Sequence, residues 1–165
     1  CAQGMVRERA SHRLADLGYH GDEQERILDA IPIATHNQRA DAELLVGSAQ
    51  FIPAEELIEI AEASMSAPIL ALLKRPDELH VVEQAHLHPM FVEDSVRAMI
   101  HGVIERYPEL EDEAFVSAHQ INFETIHNHD VVAERTGTLG ELRDQVLHDG
   151  NGGTHVTLDG WLAQA

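Results

Sequence analysis

Met90-Phe91-Val92-Glu93-Asp94-Ser95-Val96-Arg97-Ala98-Met99-Ile100-His101-Gly102-Val103-Ile104-Glu105-Arg106-Tyr107 is the most periodic stretch of the chain. Val92, Val96, Met99 and Val103 recur at helical spacing with Ile100 and Ile104 beside them, which predicts a helix with one apolar stripe. Pro108 stops it, because proline offers no N–H to continue the ladder. Downstream, residues 114–122 and 130–135 read as two strands, with 124–129 between them or at their ends. Upstream, residues 38–46 drift from polar to apolar as a strand does, and Gly47-Ser48 ends the run. A helix begins at Pro53, where a missing N–H costs nothing. It is expected to bury Leu57, Ile58, Ala61 and Met65 and to turn Glu55, Glu56, Glu59 and Glu62 to water.

The remaining segments are shorter. Residues 5–19 predict a helix, with Leu14 and Leu17 on one face and Gly18 near its end. Asp22 is expected to cap a second helix, 23–30, stopped by Pro32, and 33–37 is a loop. Pro68 and Pro76 bracket residues 69–73, a helix over 77–86 follows, and Pro89 ends it. Residues 139–147 form a last short helix before a loose glycine-rich turn at 150–153. A strand, helices and a strand pair predict an α+β fold with helices on one face of an antiparallel sheet. The chain reads as one domain, 1–165, with a helical insertion at 1–32.

Composition narrows the function. With 165 residues and 44% apolar content the chain can bury a core, and aromatics at 4% leave that core to aliphatic side chains. No apolar run reaches the roughly 20 residues of a membrane span, and no signal peptide is visible. The net charge of −18, from 29 acidic against 11 basic residues, disfavours nucleic-acid or membrane partners. Lys74 is the only lysine, and such a surface suits a high-salt cytoplasm as well as an ordinary acidic protein. A single cysteine forbids an internal disulfide and fits a reducing cytosol. The chain opens at Cys1 without an initiator Met, so a longer polypeptide is expected.

Twelve histidines stand out. His12, His20, His101, His148 and His155 have no partner at a telling spacing. Glu124-Thr125-Ile126-His127-Asn128-His129-Asp130 differs: if extended, it sets His127 and His129 on one side, with Glu124 near. Two imidazoles and carboxylates so close suit metal ligation or proton transfer, and equally a polar loop joining two strands. Thr35-His36-Asn37-Gln38-Arg39 concentrates polar groups before a strand. Glu78, Glu93 and Asp94 lie near helix starts, where carboxylates also serve as ordinary dipole partners.

Taken in order, Thr35-His36-Asn37-Gln38-Arg39, Leu72-Leu73-Lys74-Arg75-Pro76-Asp77-Glu78, Pro89-Met90-Phe91-Val92-Glu93-Asp94-Ser95-Val96-Arg97 and the Glu124 to Asp130 motif resemble type IB GTP cyclohydrolases. The resemblance runs from Cys1 to about Arg143, and the first 36 residues look like the archaeal branch. It implies a tunnelling fold whose chains carry two modules, this one being the second, in a C-terminal portion. It also implies a homo-oligomer, dimer or tetramer, with sites between modules.

In that resemblance His36 and Glu78 match metal-binding positions, and Glu93 matches the carboxylate that anchors guanine. Glu124 matches an acidic residue at the metal edge, and His127 and His129 match the catalytic imidazoles. Arg39 and Arg97 match phosphate or structural arginines. The family opens its motif Cys-Pro-Cys; Cys1 matches the second cysteine, so the resemblance implies a thiolate ligand just upstream, with Cys1 itself as the alternative. The implied cofactor is a divalent metal, Fe(II) foremost, with Zn or Mn as alternatives. The implied reaction is hydrolytic opening of the guanine imidazole ring of GTP with loss of formate. Its product would be a 7,8-dihydroneopterin cyclic phosphate for folate or tetrahydromethanopterin-type cofactors. Another purine or pterin enzyme of the tunnelling-fold group, or a metal-binding module without turnover, are the other readings. His86 and His88 find no role.

Overall fold

A computed structural model of the protein describes residues 2–31, 34–148 and 156–163. Cys1, Pro32, the 150–153 turn and His155 lie outside them. The chain divides into two compact units, Cys1–Asn37 with Ile69–Pro89, and Gln38–Pro68 with Met90–Ala165.

The first unit is helical. Helix α1 spans Ala2–Asp16 and α2 spans Gly21–Ala30, and the two pack together. Gly18, at φ +92°, makes the turn out of α1 in a region that L side chains avoid, while Tyr19 N–H donates back to Leu14 O at 2.9 Å. Asp22 is not the cap expected of it: His20 holds that position without a side-chain bond. Asp22 and Glu23 instead occupy the first turn, where carboxylates complement the helix dipole. Across the pair, Arg7 bonds Glu25 at 2.8 Å and Asp29 at 2.6 Å. Helix α4 is Arg75–Leu87, longer at its start than expected because Asp77 Oδ2 accepts from Lys74 N–H at 2.9 Å and closes the first turn.

The second unit is built on an antiparallel sheet in the order β1 (Arg39–Gly47), β2 (Phe115–Phe123), β3 (Val131–Thr138). Its register sets Val46 beside Val116 and Gly137, Leu44 beside Ala118 and Arg135, and Ala42 beside Gln120 and Ala133. These residues share one face, and along β1 they alternate with exposed Arg39, Asp41, Glu43 and Leu45. Helix α5 (Val92–Arg106) crosses β2 and β3, with α3 (Ala54–Ala63) against β1 and α6 (Leu139–His148) against β3. Met99, Val103, Val116, Ala118 and Leu139 meet there with no exposed surface. Each large side chain so buried contributes about 1.5–3 kcal/mol.

The α3 stripe differs from expectation: Leu57, Ile60 and Ala61 face the core, whereas Ile58 is 56% exposed. Met65 lies beyond the helix, which ends at Ala63. Arg143 of α6 gathers the carbonyls of Tyr107, Pro108 and Leu110 at 2.9–3.0 Å and the Asp112 carboxylate at 2.6 Å, satisfying acceptors at and beyond the end of α5. A five-residue helix, α7 (Leu158–Leu162), was not foreseen, being too short for a periodic signal. Its Trp161 packs on Phe115 with ring centroids 5.8 Å apart and donates from Nε1 to Glu113 O at 2.7 Å. A side chain at Gly47 would collide with that indole at 2.9 Å.

Candidate functional site

The chain between β2 and β3 is a turn, 124–130, so of the two readings of this segment the polar loop joining two strands holds and the extended one does not. It nonetheless brings the two imidazoles together. His127 and His129 are exposed, and their rings stack with centroids 5.5 Å apart and planes 27° from parallel. His129 Nδ1 lies 3.3 Å from Asn128 Oδ1, and Glu124 N–H donates to Asp130 Oδ1 at 3.1 Å, which closes the turn.

Glu124 is the one half-buried residue of this turn, the rest being exposed. Its Oε1 accepts from Gln38 Nε2 at 2.8 Å, whereas Oε2 is enclosed with no hydrogen-bond partner among the described residues. A buried carboxylate oxygen with no partner is costly, so it calls for a proton, a donor or a cation. Gln38 belongs to the same five-residue motif as His36, and sequence reasoning gave it no role. Gln120 was missed too: it is 3% exposed, its Nε2 donates to Asn122 Oδ1 at 2.8 Å, and its Oε1 is buried with no partner among the described residues. The signal was available, since Gln120 interrupts the inward series Val116, Ala118 on β2.

The remaining candidates are placed as follows. His36 and Glu78 both belong to the helical unit, His36 half-buried before β1 and Glu78 exposed in the first turn of α4. Glu93 is exposed in the first turn of α5, in the same unit as the 124–130 turn. Asp94 caps that helix, its Oδ2 accepting from Phe91 N–H at 3.1 Å and its Oδ1 from Arg97 at 2.9 Å. Arg97 is thereby tied to its own helix, and Arg39 is exposed at the start of β1.

Imidazole and carboxylate donors suit Fe(II), Zn(II) and Mn(II) alike. Among the described residues, no three His, Cys, Asp or Glu side chains gather closely enough to hold a metal ion. The described donors therefore fit such a metal in chemistry but not yet in number, and Glu124 Oε2 is the enclosed atom that a cation or donor would satisfy.

The chain is similar to known proteins over most of its length. The profile of the type I GTP cyclohydrolase folE2 family matches residues 1–133. GTP cyclohydrolase MptA of Methanothermobacter thermautotrophicus is 48% identical over 149 residues, covering 88% of this chain and 46% of that protein. The MptA of Methanocaldococcus jannaschii is 44% identical, covering 89% and 48%, and that of Methanosarcina acetivorans 43%, covering 88% and 46%. The chain thus spans about half the length of the curated relatives it matches. The matched span holds His36, Glu78, Glu93 and the whole histidine turn, and on that evidence the chain belongs to the type I GTP cyclohydrolase folE2 family.

Proposed function

We propose that the protein carrying this chain is a metal-dependent GTP cyclohydrolase. It opens the guanine imidazole ring with one water and releases formate with a second, yielding a 7,8-dihydroneopterin phosphate for a pterin cofactor, either the linear triphosphate or, with expulsion of diphosphate, a cyclic phosphate. The observation that carries the reading is the Glu124 carboxylate, held by Gln38, in the same turn as the stacked His127–His129 pair. The name shared by the MptA relatives supports the substrate and the ring chemistry.

Each residue has a part. Glu93 accepts N–H bonds from the guanine edge, for which a carboxylate with two oxygens is suited. His127 and His129 deliver a proton to the ring nitrogen as water adds at C8, and take one up as formate departs. Glu124 holds a proton or turns its free oxygen to the reacting water. A divalent metal, Fe(II) foremost, would be held by His36, Glu78 and a cysteine thiolate, and when bound it supplies acidified water near neutral pH. We assign the complete site to a cytoplasmic homo-oligomer of tunnelling-fold modules, type IB in kind, to which this chain contributes a C-terminal module.

The test is turnover of GTP by the metal-loaded full-length protein, read as formate and as a fluorescent pterin after oxidation. His127→Ala, an exposed position, is expected to lower kcat by about 10²–10⁴-fold. Chelation should abolish activity and Fe(II), Zn(II) or Mn(II) restore it. No turnover with metal loaded, or full activity in His127→Ala, overturns the reading. Tight metal binding without GTP affinity would favour a module that binds without catalysing.

A further inference from the structure

His86, for which the sequence offered no role, bridges two segments of the helical unit. Its Nε2 lies 2.8 Å from Thr35 N, and its Nδ1 lies 2.7 Å from Val82 O one turn back in α4. Both neighbours are one-way groups. A backbone N–H only donates, so Nε2 must carry a lone pair; a carbonyl only accepts, so Nδ1 must carry the hydrogen. The contacts therefore define a single form of the ring, the neutral Nδ1–H tautomer, joined at both ends.

The location gives this bond its meaning. Residues 34–38 have no regular secondary structure, and Thr35 directly precedes His36. Holding the Thr35 N–H fixes the Ala34–Thr35 peptide plane, one residue before His36. On the other side, α4 carries Glu78 eight positions before His86, about 12 Å along the helix axis. The ring thus joins the strandless segment bearing one proposed ligand to the helix bearing the other.

We propose that His86 is a positioning residue, a neutral imidazole latch that holds the Thr35–His36 segment against α4 and so sets His36 relative to Glu78. Its bearing on metal binding rests on the function proposed above; the latch itself does not. Groups that orient ligands from outside the coordination sphere typically account for about 10–100-fold in metal affinity.

The experiment compares full-length wild type with His86→Phe, which keeps the ring volume but cannot accept, and His86→Gln, whose side-chain oxygen can. Three readouts are taken: the His86 tautomer from ring nitrogen NMR, amide hydrogen exchange at Thr35, and Zn(II) affinity by chelator competition. Expected are the Nδ1–H tautomer in wild type and at least about tenfold faster Thr35 exchange in His86→Phe, with α4 amides unchanged. His86→Phe should also bind Zn(II) about 10–100-fold more weakly, and His86→Gln should recover most of both losses. An Nε2–H tautomer, unaltered Thr35 exchange in His86→Phe, or a His86→Gln variant as impaired as His86→Phe would overturn the latch. Absence of Zn(II) binding by wild type would count against the proposed function, while tautomer and exchange still decide the latch.

Discussion

The Tyr107 hydroxyl donates to Glu56 Oε2 at 2.7 Å, and Arg106 Nε reaches the same oxygen at 3.2 Å. Burial first, and the Glu56 hydrogen bond second, push the Tyr107 pKa up to about 12. Glu56 moves the other way, held below its ordinary value by Tyr107 and then by Arg106. The raised tyrosine contributes stability fully present below about pH 10 and lost as pH climbs through 12. The lowered carboxylate contributes stability present above its ordinary value and lost as pH falls below it. The chain has two tyrosines, so tyrosinate absorbance should show a late step near 12 that Tyr107→Phe removes. Persistence of that step in the variant would contradict the assignment. At this scale the sequence revealed groups whose neighbours lie close along the chain, as with His127 and His129. It could not reveal Gln38 on Glu124 or His86 on Thr35, because those partners are 86 and 51 positions apart.

Between α3 and α5 the decisive contact is Ile60 over Gly102. A β-carbon at Gly102 would come within 2.7 Å of the Ile60 Cγ2 methyl, part of a buried branched side chain. Gly102→Ala gains about 1 kcal/mol in helix propensity, but overpacking costs about 1–3 kcal/mol. The net expectation is a loss of about 1 kcal/mol in a denaturant melt. The same substitution made with Ile60→Ala should cost less or become favourable, and additivity of the two changes would rule out the clash. Elements were legible wherever a period ran long enough, as in α5 and β1. Helix ends shifted by a few residues because caps depend on geometry, as at His20, and α7 offered too few residues to show a period.

For the molecule as a whole, charge is the dominant long-range force. Against 29 carboxylates stand 11 lysines and arginines, so negative charge is in large excess and the acidic groups repel one another. Raising ionic strength from 0.1 M to 1 M shortens the screening length from about 10 Å to about 3 Å. Surface pairs such as Arg7 with Glu25 and Asp29 weaken at the same time, but exposed pairs contribute only about 0–1 kcal/mol. Relief of repulsion therefore wins, and Tm should climb steadily with KCl; a flat or falling Tm would refute this. The acidic balance was plain from composition. The association of residues 69–89 with the N-terminal helices was not, since no local pattern encodes a contact made by folding back.

The indole of α7 has an optical consequence. Trp161 is the protein's sole tryptophan, seated on Phe115 where β2 begins. Glu124 follows the far end of that nine-residue strand, about 30 Å away at about 3.3 Å per residue. Intrinsic emission is therefore a beacon at the opposite pole of the sheet from the histidine turn. It lies beyond direct quenching by a purine bound there, so any change on adding nucleotide would report strain carried down β2.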